Sequence, residues 1–211
     1  MTTAVECPYI IDRFIELYGD RRGKIGDGIH GGLAWIGNTR LVLLGGNRQS
    51  LSQPSDWRRF SRLAGLAQQL GRPVLLWNLC FSTEAIVQHS PSLVVHQTFQ
   101  DTQLQLLKLV HPIIGVFDIH ADEVSQESDF AAFDGVVLVE SNNSLLGSER
   151  SFSSHIKIAH CQGETKVKIL HLLDQISVIA TDVLVSNRIQ RIQRITFSNG
   201  LRNEARKDTD L

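Results

Sequence analysis

"PIIGVFDIHADEVSQESDFAAFDGVVLV", residues 112–139, contains two short apolar runs with an acidic crossover between them. Ile113 to Phe117 and Val136 to Val139 have the unbroken apolar character of strands buried on both faces of a parallel sheet. The crossover carries Asp118, Asp122, Glu123, Glu127 and Asp129, and no glycine stands between Gly115 and Gly135. The two runs therefore predict adjacent core strands of an α/β fold. The acidic segment joining them is the first place to look for chemistry.

Similar elements continue on both sides. "VLLWNL", Val74 to Leu79, is a third buried strand. Before it, "QPSDWRRFSRLAGLAQQLGRP" predicts a helix with Ser55 as N-cap, an inner stripe through Trp57, Phe60, Leu63, Leu66, Ala67 and Leu70, and a stop at Gly71. "TFQDTQLQLLKLVHP" predicts a second helix, leading into Ile113. Upstream, "GGLAWIGNTRLVLLGG" predicts a hairpin turning at Gly37-Asn38. "YIIDRFIELYGDRRG", with apolar residues at Ile10, Ile11, Phe14, Leu17 and Tyr18, predicts a helix closed by Gly19. After Glu140 come a Ser/Asn-rich loop, a partly helical "KVKILHLLDQISVIATDVLVSN" and a closing "RIQRIQRITFSNG". Strands alternating with helices predict stacked βαβ units in one domain over residues 1–211, with its core at about 9–195 and a frayed polar tail at about 200–211.

The chain of 211 residues is 42% hydrophobic and 20% charged, the balance of a soluble globular protein with a sizeable core. A net charge of −1 gives no field that would recruit nucleic acid or an acidic membrane. No apolar run is long enough for a membrane span. Cys7, Cys80 and Cys161 are odd in number and far apart, as expected of free thiols in a reducing compartment. The expected location is the cytoplasm, or the plastid stroma after import if the source is eukaryotic.

The stretch "FIELYGDRRGKIGDGIHGGLAWIGNTRLVLLGG" resembles the carboxyltransferase alpha subunit of bacterial and plastid acetyl-CoA carboxylase. That family has F-x-E-L-x-G-D-R, an acidic-glycine turn, "GGLA" and a strand leading to a glycine-bearing loop. Here these are Phe14, Glu16, Leu17, Gly19, Asp20 and Arg21, then Asp27, then Gly31 to Ala34. "PSDWRRFSRLAGLAQQLGRPVLLW" is similar to the family's next helix and strand at Pro54, Trp57, Arg58, Arg62, Leu63, Ala67, Pro73 and Val74. "LVHPIIGV", "DGVVLVE" and "IATDVLVSNRIQRI" carry it further, more faintly. The resemblance implies a ClpP/crotonase-like spiral of βαβ units with a mostly parallel central sheet. It also implies transfer of a carboxyl group from carboxybiotin to acetyl-CoA, giving malonyl-CoA.

Such chemistry needs main-chain N–H groups, brought close by glycine, to hold a developing oxyanion. The family's loop G-E-G-G-S-G-G-A-L-A falls where this chain has "FDIHADEVSQESDFAAF". Side chains block the approach there, and five carboxylates have the wrong sign for the task. The family's D-T-P-G-A-Y-P-G is replaced by "NLCFSTEA", and its H-Q-K-G-R region shrinks to "NRQSLSQ", although Gly45, Gly46 and Arg48 remain as candidate ligand-binding positions. Losing one oxyanion donor costs about 10²–10³ in rate.

The expectation is a carboxyltransferase-like protein of weak or no activity. It would partner a carboxyltransferase beta-like chain, itself or another acyl-CoA-handling protein, with acetyl-CoA or carboxybiotin implied by resemblance alone. The alternative is a working subunit, or another acyl-CoA enzyme with a rebuilt site using Asp118 and His120 as an acid/base pair. A third reading is a plain interaction module. His111, His120, His155, His160 and Cys161 lack metal-ligand spacing. Cys80 with His89 and Glu84 lacks a nucleophile elbow. Arg188, Arg191 and Arg194, three residues apart without interleaved aromatics, read as a solvated or partner-facing edge. Trp35, Trp57 and Trp77 read as core.

Overall fold

A computed structural model describes residues 9–17, 29–46, 54–79, 93–119, 130–140 and 155–193. Within them lies a seven-stranded sheet in sequence order. The strands are β1 (Arg13–Glu16), β2 (Ile29–Ile36), β3 (Thr39–Gly46), β4 (Val74–Trp77), β5 (Ile113–Ile119), β6 (Gly135–Glu140) and β7 (Ile156–Ala159). The helices are α1 (Pro54–Leu70), α2 (Leu93–Leu107), α3 (Gln162–Ser177) and α4 (Thr181–Gln193). β1, β2 and β3 pair antiparallel, and every pair from β3 to β7 is parallel. The parallel core predicted from the apolar runs is present.

Alternate side chains of the central strands supply two cores. Val42, Leu44, Val74, Leu76, Ile113 and Phe117 meet Trp57, Phe60 and Leu63 of α1 and Val95 and Leu106 of α2. Leu41, Leu43, Leu75, Ile114 and Val116 meet Ile169, Leu172, Leu173 and Ile176 of α3 and Leu184 of α4. Helices cover both faces, so β3 to β6 read as continuous apolar runs rather than alternating ones.

The segment predicted as the first helix is instead β1. It alternates exposed and half-buried residues and lies against β2 as an edge strand. Phe14 turns toward the second core, a spacing that satisfies a period of two as well as one of 3.6. The glycine pair of the hairpin explains the docking. A Cβ on Gly32 would lie 2.0 Å from the Ile15 carbonyl oxygen, and one on Gly31 2.6 Å from the Leu63 side chain. Gly32 admits β1 and Gly31 admits α1, so this pair serves the scaffold. The hairpin turns at Gly37, as predicted, with a φ of 57°.

Other boundaries move. α1 starts at Pro54, leaving Ser55 buried in the first turn rather than capping it, and proline suits that opening position. β4 stops at Trp77, and α2 begins at Leu93, earlier than predicted. β7 was not predicted, because Lys157 interrupts it and its four residues form no unbroken apolar run. Trp57 is fully buried, but Trp35 is half-buried beneath the Arg13 guanidinium at 5.0 Å, and Trp77 is half-buried.

Arg188, expected on a solvated or partner-facing edge, is instead interior, and Arg191 is half-buried. Arg188 is 0% exposed. Its Nε donates to Asp134 Oδ1 at 2.8 Å, and its other nitrogens reach Asp134 Oδ2 and the carbonyls of Leu106, Leu109 and His111. Arg191 donates to the Phe133 carbonyl at 2.8 Å. An i, i+3 spacing cannot distinguish a charged outer stripe from a helix face held against carbonyls. Arg194 and the polar tail lie outside the described residues.

Candidate functional site

In a parallel sheet, ligands are held beyond the carboxyl ends of the strands. Here those ends are Gly45-Gly46 of β3, Trp77 of β4 and Phe117 to Ile119 of β5. Gly45 and Gly46 are strand residues, paired with His30 and Ile29, and not part of an open loop. Gly45 also lies beside Trp77, where a Cβ would meet the Trp77 Cβ at 3.8 Å.

β4 ends at Asn78, whose φ of 53° lies in the left-handed region that asparagine tolerates better than most residues. Its main-chain N–H still reaches the Val116 carbonyl at 2.8 Å. Its side chain then replaces the next rung of the ladder. Asn78 Oδ1 accepts the Asp118 N–H at 2.8 Å, and Nδ2 donates to Asp118 Oδ2 at 2.8 Å. The roots of two segments are thus tied by a closed pair of hydrogen bonds.

On the other face of β5, Gly115 makes room for an aromatic cluster. A Cβ there would lie 2.6 Å from the Phe117 ring. Phe117 packs on Phe130 at 5.0 Å and on Phe133 at 5.4 Å between ring centroids. All three rings are buried, so the space beside Phe117 is filled.

Tyr9 closes the face that carries Asp118. Its ring meets Trp77 edge-on at 5.6 Å, and its phenol is hydrogen-bonded to Thr165 at the start of α3. Burial holds the Tyr9 phenol above its ordinary pKa; the Thr165 bond opposes this, and the nearby Asp118 and Cys161 reinforce it. Cys161, exposed, occupies the N-cap position of α3 without a side-chain cap bond.

Of the residues predicted for the site, Gly45, Gly46 and Asp118 are brought to one end of the sheet. Arg48, His120, Asp122, Glu123, Glu127 and Asp129 lie outside the described residues, as do Cys80, Glu84 and His89 of the nucleophile reading. Asn78 and Tyr9 were missed. An asparagine directly after an apolar strand is a usable signal for the first, whereas nothing in the sequence around Tyr9 indicates contact with Trp77. Glu16 of the family motif accepts from Arg59 at 3.1 Å, beneath α1, and so supports the scaffold. Among the described residues no three His, Cys, Asp or Glu side chains gather as a metal site. A separate groove of about 850 Å³ lies between α1 and α2, with Arg58, Arg62, Leu66, Asp101 and Gln105 in its walls.

At the described end of β5 the main-chain donor is engaged by the protein itself. The Asp118 N–H, the first donor past the buried part of β5, is already satisfied by Asn78. A carboxylate lies beside it, repelling an anion.

No family model matches the chain. Over 84 residues it is 30% identical to the acetyl-coenzyme A carboxylase carboxyl transferase subunit alpha of Staphylococcus haemolyticus, which is 35% of this chain and 27% of that protein. The chain thus spans about a quarter of the curated relative's length. Its fold matches a chain of the Pseudomonas malonate decarboxylase hetero-tetramer with a TM-score of 0.55 and 14% identity, covering 79% of each. The chain has the carboxyltransferase fold. It is ClpP/crotonase-like, with a mostly parallel sheet, as the resemblance implied. The transcarboxylase 12S core gives a TM-score of 0.51 at 12% identity, over 78% of this chain and 39% of that one. The chain thus shares the fold of such proteins, and the described ends of its β4 and β5 are tied together by its own side chains. No single helix among the described residues is long and apolar enough to cross a membrane.

Proposed function

We propose that this chain is a relative of the acetyl-CoA carboxylase carboxyltransferase alpha subunit that has no effective carboxyl-transfer activity of its own. It acts by associating with a carboxyltransferase beta-like chain or with a second copy of itself. The observation that carries this reading is the Asn78 cap on Asp118. A donor already satisfied inside the protein contributes nothing to an oxyanion, and the carboxylate beside it opposes one. The aromatic filling beside Phe117 supports the same conclusion, because it leaves no space there for an acyl group. The multi-subunit malonate decarboxylase and transcarboxylase neighbours support a protein partner.

The test is reconstitution. The purified chain mixed with beta-type and biotin-carrier subunits forms no malonyl-CoA but co-elutes with the beta-type chain or self-associates on gel filtration. Robust turnover overturns the first half of the proposal, and a strictly monomeric chain that binds neither partner overturns the second.

A second reading is favoured by one observation: the Tyr9 phenol, kept protonated, shares a face with the Asp118 carboxylate. That pair fits a rebuilt acid/base site for another acyl-CoA reaction. Calorimetric titration with acetyl-CoA decides whether it is worth pursuing. A ligand of the folded form at 100 times its Kd adds about 2.7 kcal/mol of stability. If binding is seen, Asp118→Ala and Tyr9→Phe should each lower any accompanying turnover; unchanged turnover in both removes this reading.

A further inference from the structure

We propose that α4 is a detachable arm, held by a polar latch and able to open as a unit while the sheet stays folded. α3 and α4 meet at a bend of 112°. α3 places Ile169, Leu172, Leu173 and Ile176 in the core, whereas α4 places only Leu184 there. Val183 and Ile189 of α4 are 44% and 40% exposed. Leu184 is the one fully buried apolar side chain of α4 among the described residues, with Val185 and Ile192 half-buried, so its apolar anchoring is thinner than that of α3.

Arg188 anchors it instead. The fully buried guanidinium meets both oxygens of Asp134 and the carbonyls of Leu106, Leu109 and His111. Arg191 adds the Phe133 carbonyl at 2.8 Å and Asp134 Oδ1 at 3.3 Å. All these acceptors belong to the end of α2 and the amino ends of β5 and β6. Those elements stay tied without α4, because Asp134 N–H reaches the Ile113 carbonyl at 2.8 Å and Ile113 N–H reaches Asp134 Oδ2 at 2.9 Å. When α4 lifts away, it uncovers less apolar surface than α3 would, and both charged groups regain the hydration that burial denied them. Such an element opens well below the global unfolding free energy.

Native-state hydrogen exchange on the full chain tests this. In low denaturant, amides of Thr181–Gln193 should exchange about 10-fold or more faster than those of β5, with a smaller denaturant dependence. Equal rates and equal dependence overturn the proposal. Asp134→Asn, which keeps an acceptor for Ile113, should speed α4 exchange by about 100-fold or more while β4 to β6 amides keep their rates. A uniform acceleration through the sheet, or a variant that does not fold, shows that the ion pair supports the whole domain and equally overturns the arm.

Discussion

Asn78 and Asp118 hold one another across the ends of two parallel strands: the amide oxygen takes the Asp118 N–H and the amide nitrogen gives to its carboxylate, each at 2.8 Å. The left-handed turn at Asn78 directs the main chain away from the ladder, and the side chain supplies the rung that would otherwise be lost. Both halves of this arrangement can be tested separately. Asn78→Gly keeps the backbone freedom but loses the cap, leaving the Asp118 N–H without its partner at a cost of about 1–3 kcal/mol. Asn78→Ala adds left-handed strain and should cost about 1 kcal/mol more. Asn78→Asp sets two carboxylates together and should lose additional stability as pH rises from 4 to about 7. Urea midpoints for the three variants check this order.

Gly115 is fitted to the aromatic cluster beside it. Adding a methyl group at Gly115 brings carbon to 2.6 Å from the Phe117 ring and 2.9 Å from that of Phe133. Neither ring has space to retreat, since both are buried. Gly115→Ala should therefore destabilise the fold by about 1–3 kcal/mol. Adding Phe117→Leu should recover part of that loss. A double-mutant cycle in urea reads the coupling, and strict additivity would show that the contact is not the cause.

The sheet was legible because β3 to β6 are buried on both faces, and residues such as Leu41 to Leu44 or Val74 to Leu76 have no alternative use. β1 was misread because an edge strand owes its form to what it lies on. Ile10 and Phe14 suit either period, and only the space above Gly32 decides between them. The closed strand end was legible in part. Acidic, glycine-free sequence marked Asp118 as wrong for an oxyanion, but its hydrogen-bonding partner Asn78 stands 40 positions earlier in the chain. Arg188 failed for the same reason: its carboxylate partner Asp134 stands 54 positions earlier, and its other acceptors are main-chain carbonyls, which carry no side-chain signature.

Gly32 makes a prediction of its own. A Cβ at this position would fall 2.0 Å from the Ile15 carbonyl oxygen and 2.9 Å from the Glu16 Cα. Backbone cannot yield as a side-chain tip can, so Gly32→Ala should lift β1 off β2 at a cost of about 3 kcal/mol or more. The loss should be local. Amides of β1 lose hydrogen-exchange protection and Arg59 loses its Glu16 partner, while β4 to β6 stay protected. Gly37→Ala, where nothing lies within 4 Å, should cost only the strain of its φ of 57°.

Tyr9 fixes the sign of the alkaline response. Its phenol is raised by burial first, with Asp118 and Cys161 adding to this and Thr165 opposing it. The folded protein therefore holds this proton at pH values where the unfolded chain has released it. Stability contributed in this way is complete below the ordinary tyrosine pKa of about 10 and declines as pH rises from there through the higher folded value. Tyr18→Phe leaves Tyr9 as the sole tyrosine of the two in the chain, so phenolate absorbance then reports Tyr9 alone. Its midpoint in the folded protein should lie above that in urea. Tyr9→Phe should flatten the fall of stability above pH 10, and a Tyr9 midpoint at or below the unfolded one would place the phenol in water, away from Trp77 and α3.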